Sequence, residues 1–160
     1  MIPRVLAVLV ISLLLCPALA AETSYKPYVL AATSEVGLEQ QTEATVAALE
    51  AAGFSLAGRY SPLPHANVLV VTSPDLQAVA AQSERGGYGA GQRIGITERD
   101  GKTEVAFVNP LYIQHAYRLE GDLQSVYDQL STALGNVAAF GSEKGLTAKK
   151  LKKYHYMMAM

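Results

Sequence analysis

Arg85 and Arg93 close the two ends of the stretch Arg85-Gly86-Gly87-Tyr88-Gly89-Ala90-Gly91-Gln92-Arg93. Glycine-rich backbone can turn successive N–H groups toward an anion, and the planar guanidinium fork suits carboxylate or phosphate. A dinucleotide fingerprint is a different arrangement, because it follows a strand and opens a helix, and no Gly-Lys-Ser/Thr triplet is present. The same composition also suits a plain helix-to-strand loop that uses glycine for positive φ, the reading we favour. Arg85, Tyr88 and Arg93 are therefore kept as candidate ligand contacts without a nucleotide being implied.

A second cluster, Tyr112, His115, Tyr117 and Arg118, follows Asn109-Pro110. On a helix Tyr112 and His115 share a side, and Arg118 continues it at the next three-residue step. Such a group can supply an acid, a base and an oxyanion partner. No nucleophile stands beside the histidine, so Tyr112, His115 and Arg118 are read first as ligand contacts, with His115 as general acid or base the enzymatic alternative.

The chain ends with His155, Met157, Met158 and Met160 inside six residues. Imidazole and thioether are copper ligands, and thioether sulfur suits Cu(I). Against this, Leu151, Tyr154, His155 and Met158 form one helical face, which reads as packing against a sheet with methionine as gap filler. Lys144, Lys149, Lys150, Lys152 and Lys153 make the same segment basic, as expected of a solvated helix face. Copper at this cluster is the alternative to packing, and no motif identifies another cofactor.

These groups must be carried by a domain that works outside the cytoplasm. Arg4, the apolar run from Val5 to Leu15, the break at Pro17 and the small-residue sequence Ala18-Leu19-Ala20 are the three parts of a secretory signal over residues 1–20. The run is shorter than the roughly 20 residues a permanent span needs, so no transmembrane helix is expected after cleavage. Cleavage is expected after Ala20 or Ala21, giving a periplasmic or secreted protein. Cys16 ends the apolar run as a lipoprotein cysteine would, but Leu15 precedes it where a small residue is wanted, so simple cleavage is the expectation.

Cleavage discards the only cysteine, so the mature chain has no disulfide and no thiol chemistry. Roughly 140 residues remain, enough for one ordinary hydrophobic core over 21–160. The precursor's net charge of −1 becomes one unit more negative on losing Arg4, which implies no general attraction to nucleic acid. A small ligand or a protein is the partner class left.

Hydrophobic patterning predicts a strand over 25–31, a helix over 38–52 closed by Gly53, and strands over 54–60 and 67–72. Ser61-Pro62-Leu63-Pro64-His65 is expected to turn between the last two, since prolines are excluded from a central ladder. The continuous run Val68-Leu69-Val70-Val71 suggests burial on both faces. Ser73-Pro74-Asp75 caps a helix reaching about Glu84.

Asp100-Gly101 predicts a two-residue hairpin turn that sets Ile96 opposite Val105 and Ile94 opposite Phe107. The stretch 111–119 is compatible with a short helix or an extended connection. Asp122 caps a helix whose stripe runs through Leu123, Val126, Tyr127, Leu130, Leu134 and Val137, and a last short helix begins near Thr147. The order of elements predicts an α+β domain, a mostly antiparallel sheet with helices packed on one face.

Several stretches resemble exported bacterial relatives of the family catalogued as domain of unknown function 302. They are Ala52-Gly53-Phe54, His65 through Thr72, Gly86 through Arg93, Asn109-Pro110-Leu111-Tyr112 with His115-Ala116-Tyr117-Arg118, and Leu146 through Leu151 with Tyr154-His155-Tyr156-Met157-Met158. The last three are the specific ones. The resemblance implies a compact antiparallel sheet with helices of the TATA-binding-protein-like class. It implies no activity and brings no catalytic residues, which leaves a non-enzymatic exported binding domain as the expected function.

Overall fold

A computed structural model describes residues 22–153. The expected signal segment with Cys16, and Tyr154, His155, Met157, Met158 and Met160, lie outside the described residues. The elements are β1 (Ser24–Tyr25), β2 (Tyr28–Ser34), α1 (Leu38–Ala51), β3 (Ser55–Leu63), β4 (Ala66–Thr72) and α2 (Pro74–Ala81). After a single 3-10 turn over Gly86–Gly89 come β5 (Gln92–Arg99), β6 (Lys102–Val108), α3 (Pro110–Ala116), α4 (Gln124–Leu134), β7 (Ala138–Phe140), β8 (Leu146–Thr147) and α5 (Ala148–Lys152).

Six strands form one antiparallel sheet in the order β3-β4-β5-β6-β2-β7, and β1 pairs with β8 beside it. The hairpin has the expected register, Ile94↔Phe107 and Ile96↔Val105. Its turn residues Asp100 and Gly101 have φ of 52° and 72°, the left-handed values that a tight turn matching the strand twist requires. A Cβ at Gly101 would meet nothing within 4 Å, so Gly101→Val tests the backbone alone. It is expected to lower stability by at least about 1 kcal/mol, because a β-branched residue resists positive φ. An unchanged urea midpoint would contradict that.

The core lies on one face. Val29 and Ala31, Leu69 and Val71, Ile94 and Ile96, and Val105 and Phe107 point from four strands toward Leu49 of α1, Leu76 of α2 and Leu123, Val126 and Leu130 of the α4 region. Buried Thr42 and Thr45 on α1 donate their hydroxyls to the carbonyls of Leu38 and Gln41 at 2.7 Å, so their polarity costs little there. With every one of these helices on the same side, Val68 and Val70 are only partly buried on the other. The expected two-sided burial of the β4 run is thus corrected to one side.

Three further expectations shift. β3 continues through Pro62 to Leu63, since as the sheet's edge it can carry a residue without an N–H. Ser73 caps α2 as expected, its Oγ accepting from the Leu76 N–H at 3.3 Å, but the helix stops at Ala81, where the chain turns toward the glycine-rich segment. Val137 is not on the α4 stripe: Gly135, at φ 100°, ends the helix, and the Val137 N–H donates to the Leu30 carbonyl at 2.8 Å to start β7.

Among the described residues no helix is long and apolar enough to cross a membrane.

Candidate functional site

The glycine-rich segment is a packed loop. Gly86, Gly87, Gly89 and Gly91 do not have positive φ; the left-handed residue is Arg85, at φ 64°. The glycines Gly86 and Gly89 are needed for close approach instead. A Cβ on Gly86 would lie 2.0 Å from the Ala80 carbonyl oxygen, and one on Gly89 would lie 2.6 Å from Leu119 Cδ1. The Thr72 hydroxyl donates to the Ala90 carbonyl at 2.8 Å, and the Glu120 N–H donates to Ser83 Oγ at 2.8 Å, tying the loop to β4 and to the α3–α4 connection.

This anchoring raises Arg85 and Tyr88 as one wall of a groove of about 650 Å3 whose other wall is Tyr117 and Arg118, with Glu84 and Glu120 on its rim. The rings of Tyr88 and Tyr117 stand 6.1 Å apart between centroids, and Tyr88 is 74% exposed, an open aromatic face. Behind the two rings a smaller space of about 310 Å3 runs past Gly87, Gly91, Val108 and Ile113 to Arg93.

Arg118 does not continue the Tyr112–His115 stripe. Asn109 caps α3, its Oδ1 accepting from the Leu111 N–H at 3.0 Å, and the helix ends at Ala116. Arg118 follows at φ 58°, and its Nε donates to the Lys152 carbonyl at 3.0 Å. Four of the six expected contacts, Arg85, Tyr88, Arg93 and Arg118, thus line connected grooves, whereas Tyr112 and His115 line neither. Glu84 and Glu120 were not anticipated, because exposed glutamates carry no sequence signal until their neighbours are known.

The charges of the main groove are not spent on one another. Arg59, on β3, is held by Glu39 and by Glu43 at 2.5 Å, but no ion pair within 4 Å joins Arg85 or Arg118 to Glu84 or Glu120. Among the described residues no group of three or more His, Cys, Asp or Glu is placed to hold a metal ion.

His115 sits against Tyr25 of β1, ring centroids 4.9 Å apart. Burial pushes its imidazole below the ordinary pKa, the Lys152 charge adds to that, and Asp122 opposes it. The unfolded chain therefore takes up this proton more readily than the folded one, and stability falls as pH drops below about 6.5 and through the lowered folded value. Replacing His115 by Phe keeps a ring on Tyr25 and removes the titration. The loss of thermal midpoint between about pH 7.5 and pH 5 is expected to be smaller in H115F than in the parent, whereas equal losses would remove His115 from the linkage.

No protein-family model matches the chain, and no curated protein matches it. Among solved structures, the crystal structure of an uncharacterized conserved protein, DUF302, from Bacillus stearothermophilus is similar at 15% identity and a TM-score of 0.57. The match covers 70% of this chain and 97% of that one. This chain is thus similar to that protein in fold: a single domain with an antiparallel sheet and helices packed on one face.

Proposed function

We propose that the chain is an exported, non-enzymatic binding domain that holds a small aromatic zwitterion, of the amino-acid class, in the groove between Arg85, Tyr88, Tyr117 and Arg118. The observation that carries this reading is a pair of tyrosine rings surrounded by two cations and two carboxylates that form no ion pairs with each other. A ligand bearing an ammonium, a carboxylate and a planar group can meet all three kinds of wall. His115, the expected general acid or base of the enzymatic alternative, faces Tyr25 and does not line this groove, which favours binding over catalysis.

Export through the signal over residues 1–20, a mature chain starting at Ala21 or Glu22, and a periplasmic or secreted destination belong to the same reading. So do kinship with DUF302 proteins and the TATA-binding-protein-like class, for which the distant likeness in fold is the support.

Calorimetric titration of the secreted protein with phenylalanine, phenylacetate and phenethylamine tests it. Phenylalanine is expected to bind at least about tenfold more tightly than either singly charged analogue, and the double replacement R85Q/R118Q to remove at least about tenfold of that affinity. Equal affinity for all three compounds, or no change in the double variant, would overturn the reading.

A further inference from the structure

The face of the sheet turned away from the helices carries its own trough. Across it the register sets Tyr60, Val68, Gly95, Ala106 and Leu30 in one row. The two smallest of these, Gly95 and Ala106, lie side by side in the middle. The next row brings Val70 and Arg93 together on one pair of strands and Val108 and Tyr28 on another. The result is a trough of about 240 Å3 whose floor is Gly95 and Ala106 and whose sides are Tyr60, Val68, Val108 and Tyr28.

Among the described residues Arg93 is the only charged one lining it, and no carboxylate of those residues pairs with its guanidinium. Glycine inside a strand forfeits side-chain packing and weakens the strand, a cost that is understandable where another molecule approaches the backbone closely. Here no described backbone conflict requires it, since a Cβ at Gly95 would come no nearer than 4.0 Å to the Ala106 carbonyl oxygen. The small residue keeps a space open above the sheet.

We propose that this uncovered face is a second ligand site, for an amphiphilic monocarboxylate whose carboxylate pairs with Arg93 and whose alkyl chain lies in the trough over Gly95 and Ala106. The occupant follows from charge complementarity: one unpaired guanidinium at the edge of an otherwise uncharged, largely apolar and aromatic trough matches one anionic head on an apolar body. The volume suits a short chain and not a two-tailed lipid. Arg93 and Val108 also line the smaller space behind Tyr88 and Tyr117, but the trough shares no lining residue with the Arg85–Arg118 groove and does not depend on the function proposed for it.

Octanoate and octanol are the probes, titrated calorimetrically into the secreted protein, with sedimentation velocity run on the same samples. Octanoate is expected to bind at least about tenfold more tightly than octanol. Arg93→Gln, at an exposed side chain, is expected to bring octanoate down to the level of octanol. Gly95→Leu fills the trough and is expected to abolish binding of both while leaving the urea midpoint unchanged or raised. Arg85→Gln is expected to leave octanoate affinity as it is. The proposal is overturned if the parent binds neither probe, if octanol binds as well as octanoate, or if Gly95→Leu still binds octanoate. It is equally overturned if the parent sediments as a dimer that Gly95→Leu converts to monomer without octanoate binding, which would make the face a contact between two copies of the chain.

Discussion

Gly86→Ala is expected to cost roughly 3 kcal/mol of stability, whereas Gly87→Ala, one residue on, is expected to be nearly neutral. The new methyl at position 86 would stand 2.0 Å from the Ala80 carbonyl oxygen and 2.8 Å from its carbon, both backbone atoms of α2 that cannot step aside as a side-chain tip does. At position 87 a Cβ meets nothing within 4 Å. Neither glycine has positive φ, so the contrast isolates steric approach from conformational freedom. The loop must lift off α2 to admit the methyl, carrying Arg85 and Tyr88 with it. Phenylalanine affinity should therefore fall in the first variant and hold in the second. Equal urea midpoints for the two would show that the loop does not rest on α2.

Leu151→Ala should be about as damaging, on the order of 3 kcal/mol. Leu151 is 1% exposed on a helix of only five residues, begun by Thr147, whose Oγ1 accepts from the Lys150 N–H. So short a helix holds together by packing and not by its own hydrogen bonds. Its loss reaches the groove through the Lys152 carbonyl that receives Arg118 Nε. A variant that unfolds at a lower urea midpoint while also binding phenylalanine more weakly under native conditions is the expected result. A midpoint within about 0.5 kcal/mol of the parent would place Leu151 at the surface.

The parts of the fold legible in the sequence were those where two local rules agree. Asp100-Gly101 supplies the turn and the alternating Ile94, Ile96, Val105 and Phe107 supply the register, and each would have been weak alone. β7 escaped because Ala138-Ala139-Phe140 has neither length nor alternation; it is a strand only because Gly135 bends the chain onto β2. β1 and β8, two residues each, are fixed by pairing with each other across the whole domain. Pro62 was read as a break because its tolerance depends on being at the edge, a fact of strand order that no local pattern carries.

The site divides in the same way. Arginines bracketing glycines pointed to Arg85, Tyr88 and Arg93. The role given to those glycines did not survive, since close approach depends on what lies opposite, here Ala80 and Leu119. The Tyr112–His115–Arg118 stripe assumed a helix running at least two residues beyond Ala116, where the one started by Asn109 and Pro110 ends. Val68 and Val70 looked like ordinary core strand until every large helix proved to lie on the other face.

The strand order carries a kinetic consequence. β2, the sheet's first strand in chain order, lies between β6 and β7, so both of its neighbours belong to later parts of the chain. The run β3-β4-β5-β6, by contrast, pairs each strand with the next. As a chain emerges amino end first, that meander can zip by short loop closures while β2 waits with Val29 and Ala31 uncovered. Until β2 docks, the unsealed edge of β6 is open to a strand from any neighbouring molecule, and the waiting β2 can serve as that strand. The final native step is therefore a race between docking one's own first strand and exchanging it with another chain, and crowded synthesis should raise the yield of strand-swapped dimers.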